Sequence, residues 1–358
     1  MVLAAEEAVT ADPLVSAKGS GLWRYILIRC FLIFPTVIIL VTVVFFLTRI
    51  TGDPITAALG GRLPPDQLAE RIHAAGYDRP LIVQYFEYIF GVFRGDFGTT
   101  LTDNQAVSQI LLQFGAATLE LAIYALIVAF LVGIPLGLVA ARLRDRWPDA
   151  VLRIGAILTY ATPIFFVAIL LKLVFSAWLG WLPVAGRAST RTELQLQSLE
   201  NPTGIYLIDA IRLGSPEAVG DVLWHAILPG LALGLLTAGV FLRLVRTNVI
   251  GTLGAQYVTS ARSRGVGEYR LLTKHAYRPA LIPIVTVIGL QIGLLLAGAV
   301  LTETSFEWKG IGFHLAQYIL ARDFVAVQGI VIMIAVIVAV TNFIVDIVAV
   351  LIDPRVRY

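Results

Sequence analysis

The chain has 358 residues, of which 58% are hydrophobic and only 14% charged. A soluble domain is nearer half apolar and a quarter charged, so this composition excludes an ordinary water-soluble globule and points to lipid as solvent. The net charge is a modest +3, no nucleic-acid partner is expected, and the single cysteine, Cys30, excludes an internal disulfide.

Residues 1–22 carry Glu6, Glu7 and Asp12 and lack the early basic stretch of a secretory signal, so they read as a cytoplasmic tail. A bilayer core asks for about 20 apolar residues per helix. Six runs meet that need, at about 25–48, 116–140, 154–179, 222–244, 280–302 and 325–352. They are continuous rather than alternating, which favours helices over barrel strands. The expected fold is an all-α polytopic membrane protein with six transmembrane helices in residues 23–358. Cys30 sits in the first run as a small core or lipid-facing residue. Pro35, Pro135, Pro163 and Pro229 lie inside or at the edge of runs. Gly133, Gly137, Gly234, Gly239, Gly293 and Gly298 either permit close helix packing or reflect the general frequency of glycine in membrane helices.

Lys and Arg in short loops set the orientation. Arg142, Arg144, Arg146 and Arg153 cluster after the second run, and Arg243 and Arg246 close the fourth. Lys18, Arg24 and Arg29 precede or enter the first run, and Arg355 and Arg357 lie after the last. Both termini and the segments 141–153 and 245–279 are therefore expected in the cytoplasm, with loops 49–115 and 180–221 outside. In the last inter-run loop, 303–324, Lys309 and Arg322 are offset by Glu303, Glu307 and Asp323. The first outer loop holds a proline pair, a short amphipathic pattern, a turn at Asp78–Pro80 and an aromatic stretch suited to the membrane interface. No internal repeat is evident, which disfavours a secondary transporter.

No phosphate loop of the GxxxxGK[ST] type, no GxSxG and no HExxH occurs, and His73, His225, His275 and His314 are scattered. No catalytic, cofactor-binding or metal site is expected. Glu120, Lys172 and Asp346 are ionisable residues inside apolar runs and so are functional suspects. With Gln291, and with Asn342 one turn before Asp346, Glu120 and Asp346 read either as packing and hydrogen-bond anchors or as pathway contacts.

The segment "YVTSARSRGVGEYRLLTKHAYRPALIP" separates the fourth and fifth runs. A short helix is expected from Thr259 to Arg264, ended by Gly265, with Gly267 allowing a second change of direction. Glu268 suits the first turn of the next helix, where the dipole favours an acid. Leu271, Leu272, Ala276 and Tyr277 alternate with Arg270, Lys274 and Arg278 until Pro279 breaks the pattern. The residues alone leave two readings open: a basic hairpin resting on anionic lipid, or a dock for a partner.

This segment resembles the cytoplasmic "EAA" loop of ATP-binding-cassette importer permeases, in the dialect of the dipeptide, oligopeptide and nickel subfamily. "TSARSRG" supplies Ala261 and Gly265, and Pro283 follows downstream. "RYILIRCFLIFP", "DRPLIVQYFEYIFGVFRGDFGTTL", "TPIFFVAILLKLVFSAWLGWLPVAG", "HAILPGLALGL" and "TNFIVDIVAVLIDPRVR" resemble further landmarks of its B-type permease, in order. The chain departs from that pattern at Lys309–Gly310, where the family usually has Pro-Gly, and at Pro279, where it usually has Asn. The resemblance implies a type I permease fold and a coupling helix docked on an ATP-binding subunit through Thr259, Ala261, Arg262, Arg264, Gly265, Gly267 and Glu268. It also implies that Ala261 fits a tight contact with that partner, and that Arg262 and Arg264 pair with acids on it. The implied partners are a homologous second permease, two ATP-binding subunits that carry ATP and Mg, and an extracytoplasmic solute-binding protein, in a bacterial cytoplasmic membrane. Di- or oligopeptides are the expected cargo, with nickel or another small solute as the alternative; a self-sufficient channel or carrier is the rival from another class.

Overall fold

The computed structural model describes residues 20–50, 52–61 and 63–352. Most of the expected tail, Lys18, Arg355 and Arg357 fall outside the described residues. Helix α1 (Ser20–Ile50) carries the first apolar run and passes through Pro35 unbroken. Three short helices follow: α2 (Pro54–Leu59), α3 (Pro65–Ala74) and α4 (Leu81–Phe93). The first two begin on proline, whose missing N–H costs nothing in a first turn. Asp53 caps α2, accepting from the Thr56 N–H at 2.8 Å. Helix α5 (Val107–Arg142) starts well before the apolar run at 116, and Pro135 lies inside it.

The third run is not one straight helix. Helix α6 (Trp147–Ala161) stops at Thr162, which is extended, and α7 (Ile164–Leu171) restarts after Pro163. The residue before a proline is pushed out of the helical region, and the two pieces meet at 105°. A π-helical stretch, Lys172–Trp178, continues α7. After α8 (Thr190–Gln197) and α9 (Tyr206–Arg212) comes α10 (Pro216–Leu253), then α11 (Gln256–Ser263) and α12 (Glu268–Arg270). A second π-helical stretch, Leu271–Ala276, leads into α13 (Tyr277–Phe306), followed by α14 (Ile311–Leu320) and α15 (Phe324–Ile352). The segment 303–324, expected as a loop, is thus largely helical, and in 245–279, where a helical hairpin is expected, α10 also runs on to Leu253. Hydropathy marks only the part of a helix that lipid must surround, so polar helix ends escape it.

Helix α10 is the hub, packed on α5, α13, α6 and α7. Glycines make the closest seam possible. A Cβ on Gly133 would come 2.6 Å from the Ala238 carbonyl oxygen, one on Gly137 2.7 Å from Val245, and one on Gly234 2.7 Å from the Ala125 carbonyl oxygen. Gly239 sits equally close to α6 at Thr159, and Gly298 to Ile164 of α7. Leu121, Leu233, Leu295 and Trp308 fill the middle of the bundle. Outward, Leu27, Phe31, Ile39, Leu131, Ile157, Phe166 and Leu294 are exposed, as lipid-facing residues should be. Among the described residues four helices are long and apolar enough to cross a bilayer, and the bent α6–α7 pair makes a fifth; α13 adds the shorter apolar stretch Gln291–Phe306.

Candidate functional site: a basic hairpin and its braces

The hairpin hangs from the end of α10. Helix α11 closes on Gly265 at φ +81°, with the Gly265 N–H on the Arg262 carbonyl (3.0 Å) and the Val266 N–H on that of Ala261 (3.3 Å). This is a left-handed helix terminus, the conformation glycine adopts without strain. Gly267 differs from expectation. Its φ of −62° lies in the extended region open to any residue, so the hairpin makes a single glycine-dependent turn. Glu268 opens α12.

The hairpin has its own small core. Val258, Ala261 and Leu271 are buried against one another, flanked by Leu253, Ala255 and Val266. Ala261 therefore faces inward, where the resemblance implied a partner contact. Residues 258 and 261 lie one turn apart on the same face of α11, and that face folds back on Leu271. Arg262 is also occupied. Its Nε and Nη2 donate to the two Glu268 carboxylate oxygens at 2.7 and 3.2 Å, closing the hairpin across the turn. The hydrogen bonds hold the Glu268 carboxyl below its ordinary pKa and the Arg262 guanidinium above its own. Arg264 touches only the Ser260 carbonyl (3.2 Å) and remains exposed, as do Thr259, Arg270 and Lys274. Tyr257 and Tyr269 stand 48% and 69% exposed.

Pro279 does not break the helix. It lies in the first turn of α13, just after the π-helical stretch, where a missing N–H is tolerated. On the inner side Leu272 and Ala276 pack with Phe241, Val245 and Val249 of α10 and with Ala280 and Ile284 of α13. The hairpin is thereby seated on both long helices. A second brace lies beside it. Asp149, fully buried at the start of α6, receives Arg246 of α10 through Nε (2.6 Å) and Nη2 (2.8 Å) and the Asp145 N–H at 3.1 Å. Arg153 approaches it at 3.7 Å. This fork ties the basic 141–153 segment to α10. Asp149 drew no notice in the sequence because its partner lies far along the chain.

The polar residues of the apolar runs are held apart from the hairpin. Glu120, 2% exposed, accepts from Arg187 Nη2 (2.5 Å), the Tyr124 hydroxyl (3.0 Å) and the Leu207 N–H (2.9 Å). It fastens α9 to α5. Arg187 lies 3.6 Å from the Tyr206 ring centroid and 5.4 Å from that of Trp308. Lys172 Nζ donates to the Ser305 carbonyl at 2.7 Å. Gln291 is buried in α13. Asp346 pairs with Arg29 at 3.0 Å, and with Asn342 these line a cleft of about 150 Å³ between α1 and α15.

Two further carboxylates, read in the sequence only as loop charges, are buried anchors. Glu303, fully buried, accepts from the Thr118 hydroxyl (2.6 Å) and the Phe313 N–H (2.9 Å). A Cβ on Gly310, which follows Lys309, would meet this carboxylate at 2.5 Å, so a side chain there would push the Glu303 carboxylate aside. Asp323 caps α15 through the Ala326 N–H (3.1 Å) and gathers the Leu101 and Thr102 N–H groups at 2.6 and 2.9 Å. An Asp just before an apolar run is a capping signal available in the sequence.

Residues 133–358 match the family described as binding-protein-dependent transport system inner membrane component, and residues 22–122 match its N-terminal companion. The chain is 34% identical to a dipeptide transport system permease protein of Alkalihalophilus pseudofirmus, covering 93% of this chain and 99% of that one. It is 38% identical to a di/tripeptide transport system permease protein of Pseudomonas aeruginosa, covering 92% and 97%. A glutathione transport system permease protein of Salmonella choleraesuis is 33% identical over 94% of this chain and 99% of its own.

Proposed function

The chain belongs to the binding-protein-dependent transport system inner membrane components, and from that premise we propose that it is the permease subunit of an ATP-driven importer of di- or oligopeptides. In this reading it crosses a bacterial cytoplasmic membrane six times, with the bent α6–α7 pair and α13 as the third and fifth spans and both termini inside. It encloses half of a pathway completed by a homologous permease. A solute-binding protein delivers cargo outside, and two ATP-binding subunits work inside and carry the ATP and Mg.

The observation that carries the reading is the hairpin's double seat on α10 and α13. A rigid projection with exposed Tyr257, Tyr269, Arg264 and Arg270 offers a partner a convex aromatic and basic knob. Motion imposed on it passes directly into two spanning helices, and packed interfaces answer such motion by rocking as bodies. The chain supplies geometry; the hydrolysis is the partner's. Reconstitution tests this. Proteoliposomes holding the chain, its second permease and the ATP-binding subunits should accumulate labelled dipeptide only with binding protein and ATP present. Accumulation by the chain alone without ATP would identify a self-sufficient carrier, and nickel uptake without peptide uptake would reassign the cargo.

A further inference from the structure

Helices α6 and α10 touch where Gly239 lets a backbone approach Thr159. Between this contact and the Asp149–Arg246 fork, residues of both helices line a cavity of about 360 Å³. Its lining combines Arg153, Arg243 and Arg246 with apolar groups that include Ile157 and the Tyr160 ring. Asp149 takes Arg246 in a two-pronged bond, with Arg153 at 3.7 Å, and the Asp145 carboxylate also acts on Arg246. Arg243 has no carboxylate partner among the described residues and lies 6.0 Å from the Tyr160 ring centroid. Beside the cavity the face of α6 is exposed and greasy at Val151, Ile154, Ile157 and Leu158.

From this arrangement we infer that the cavity holds the phosphate of an anionic phospholipid, with its acyl chain lying along the exposed face of α6. Basic pockets between membrane helices on the cytoplasmic side attract anionic headgroups, and long arginine side chains reach the interface from within the apolar layer. A cavity lined by cationic and apolar groups matches a ligand that is anionic at one end and hydrocarbon at the other. The Asp149–Arg246 fork fixes one guanidinium group, leaving Arg153 and Arg243 to close on the phosphate. The lipid would then brace α6 against α10 beside the hairpin. The inner-leaflet location rests on the proposed orientation, which cysteine labelling judges separately.

The test is titration of phosphatidylglycerol and, separately, phosphatidylcholine into the delipidated full-length chain, followed by native mass spectrometry. The chain should bind phosphatidylglycerol in preference to phosphatidylcholine. The double variant Arg153→Gln/Arg243→Gln should weaken phosphatidylglycerol binding roughly 30-fold, as expected for two basic groups near an anionic headgroup. Arg153→Lys/Arg243→Lys, which keeps the charge, should retain the preference and shows that the site still folds. Removing two hairpin charges, Arg264→Gln/Arg270→Gln, should leave the affinity unchanged. Equal weakening in both glutamine pairs would overturn the site in favour of general surface charge. Displacement of the lipid by millimolar inorganic phosphate would reassign the cavity to a free anion.

Discussion

Gly265 and Gly267 look alike in the sequence and differ in the backbone. Gly265 is left-handed at φ +81°, whereas Gly267 is extended, and a Cβ on either meets no atom within 4 Å. Substitution at Gly265 is therefore strained by conformation alone, by about 1–2 kcal/mol, while Gly267 tolerates any side chain. Gly265→Val should reach the membrane in normal amount yet lose most ATP-dependent uptake, and Gly267→Ala should transport normally. Equal uptake by the two variants in reconstituted vesicles would sink the docking-turn assignment. The Arg262–Glu268 pair tests the hairpin's rigidity. Because the Glu268 carboxyl is held below its ordinary value, the pairing is complete above the usual carboxylate range and is lost only as pH falls through the lowered value. Amide protection over 256–271, corrected for intrinsic exchange, should stay flat from pH 8 to about pH 5. Arg262→Glu should lower it and Arg262→Glu/Glu268→Arg restore it; no loss in the single variant would show the pair to be ornamental. Sequence reading placed Gly265 and Glu268 in their structural positions because turn and cap signals are local. The resemblance gave Ala261 and Arg262 contacts with a partner, and nothing local in the sequence reveals that Leu271 packs on Ala261 and that Glu268 pairs with Arg262 within the hairpin.

The helices themselves were visible because lipid imposes a continuous apolar run. The break at Thr162–Pro163 was not, since averaged hydropathy passes smoothly over two residues between greasy flanks and does not register the backbone restriction before a proline. Helix α14 was hidden for the opposite reason: at ten residues it is too short to register as a span. The glycine pattern admitted two explanations, and the α5–α10 seam decides between them. At Gly234 a Cβ would stand 2.7 Å from the Ala125 carbonyl oxygen, whereas at Gly220, on the same helix, it meets nothing within 4 Å. Gly234→Ala should destabilise the bundle by about 1–3 kcal/mol, since backbone must move. Gly220→Ala should be neutral or stabilising by up to about 1 kcal/mol. Denaturant-induced unfolding in detergent measures both, and an unaffected Gly234→Ala protein would mean that the seam is looser than its geometry. Long-range pairs such as Asp149–Arg246 and Glu120–Arg187 were beyond sequence reading, because they join segments that meet only after the helices have packed.

For the whole molecule, orientation and partnership decide the function. Ser198, next to α8, and Ser263, in the hairpin, are both exposed, so either can report its side of the membrane. In intact cells an impermeant thiol reagent should label Ser198→Cys and spare Ser263→Cys, in a Cys30→Ser background; the reverse pattern would invert the topology. The family and the apolar spans were legible throughout the chain, since both are written in extended stretches rather than in single contacts. The proposed docking of the hairpin on an ATP-binding subunit is tested most directly at Tyr269, which is exposed. A photo-crosslinking amino acid placed there in the assembled, reconstituted complex should form its adduct with an ATP-binding subunit, and the yield should change between ATP-bound and nucleotide-free states. Adducts with lipid alone, indifferent to nucleotide, would contradict the account.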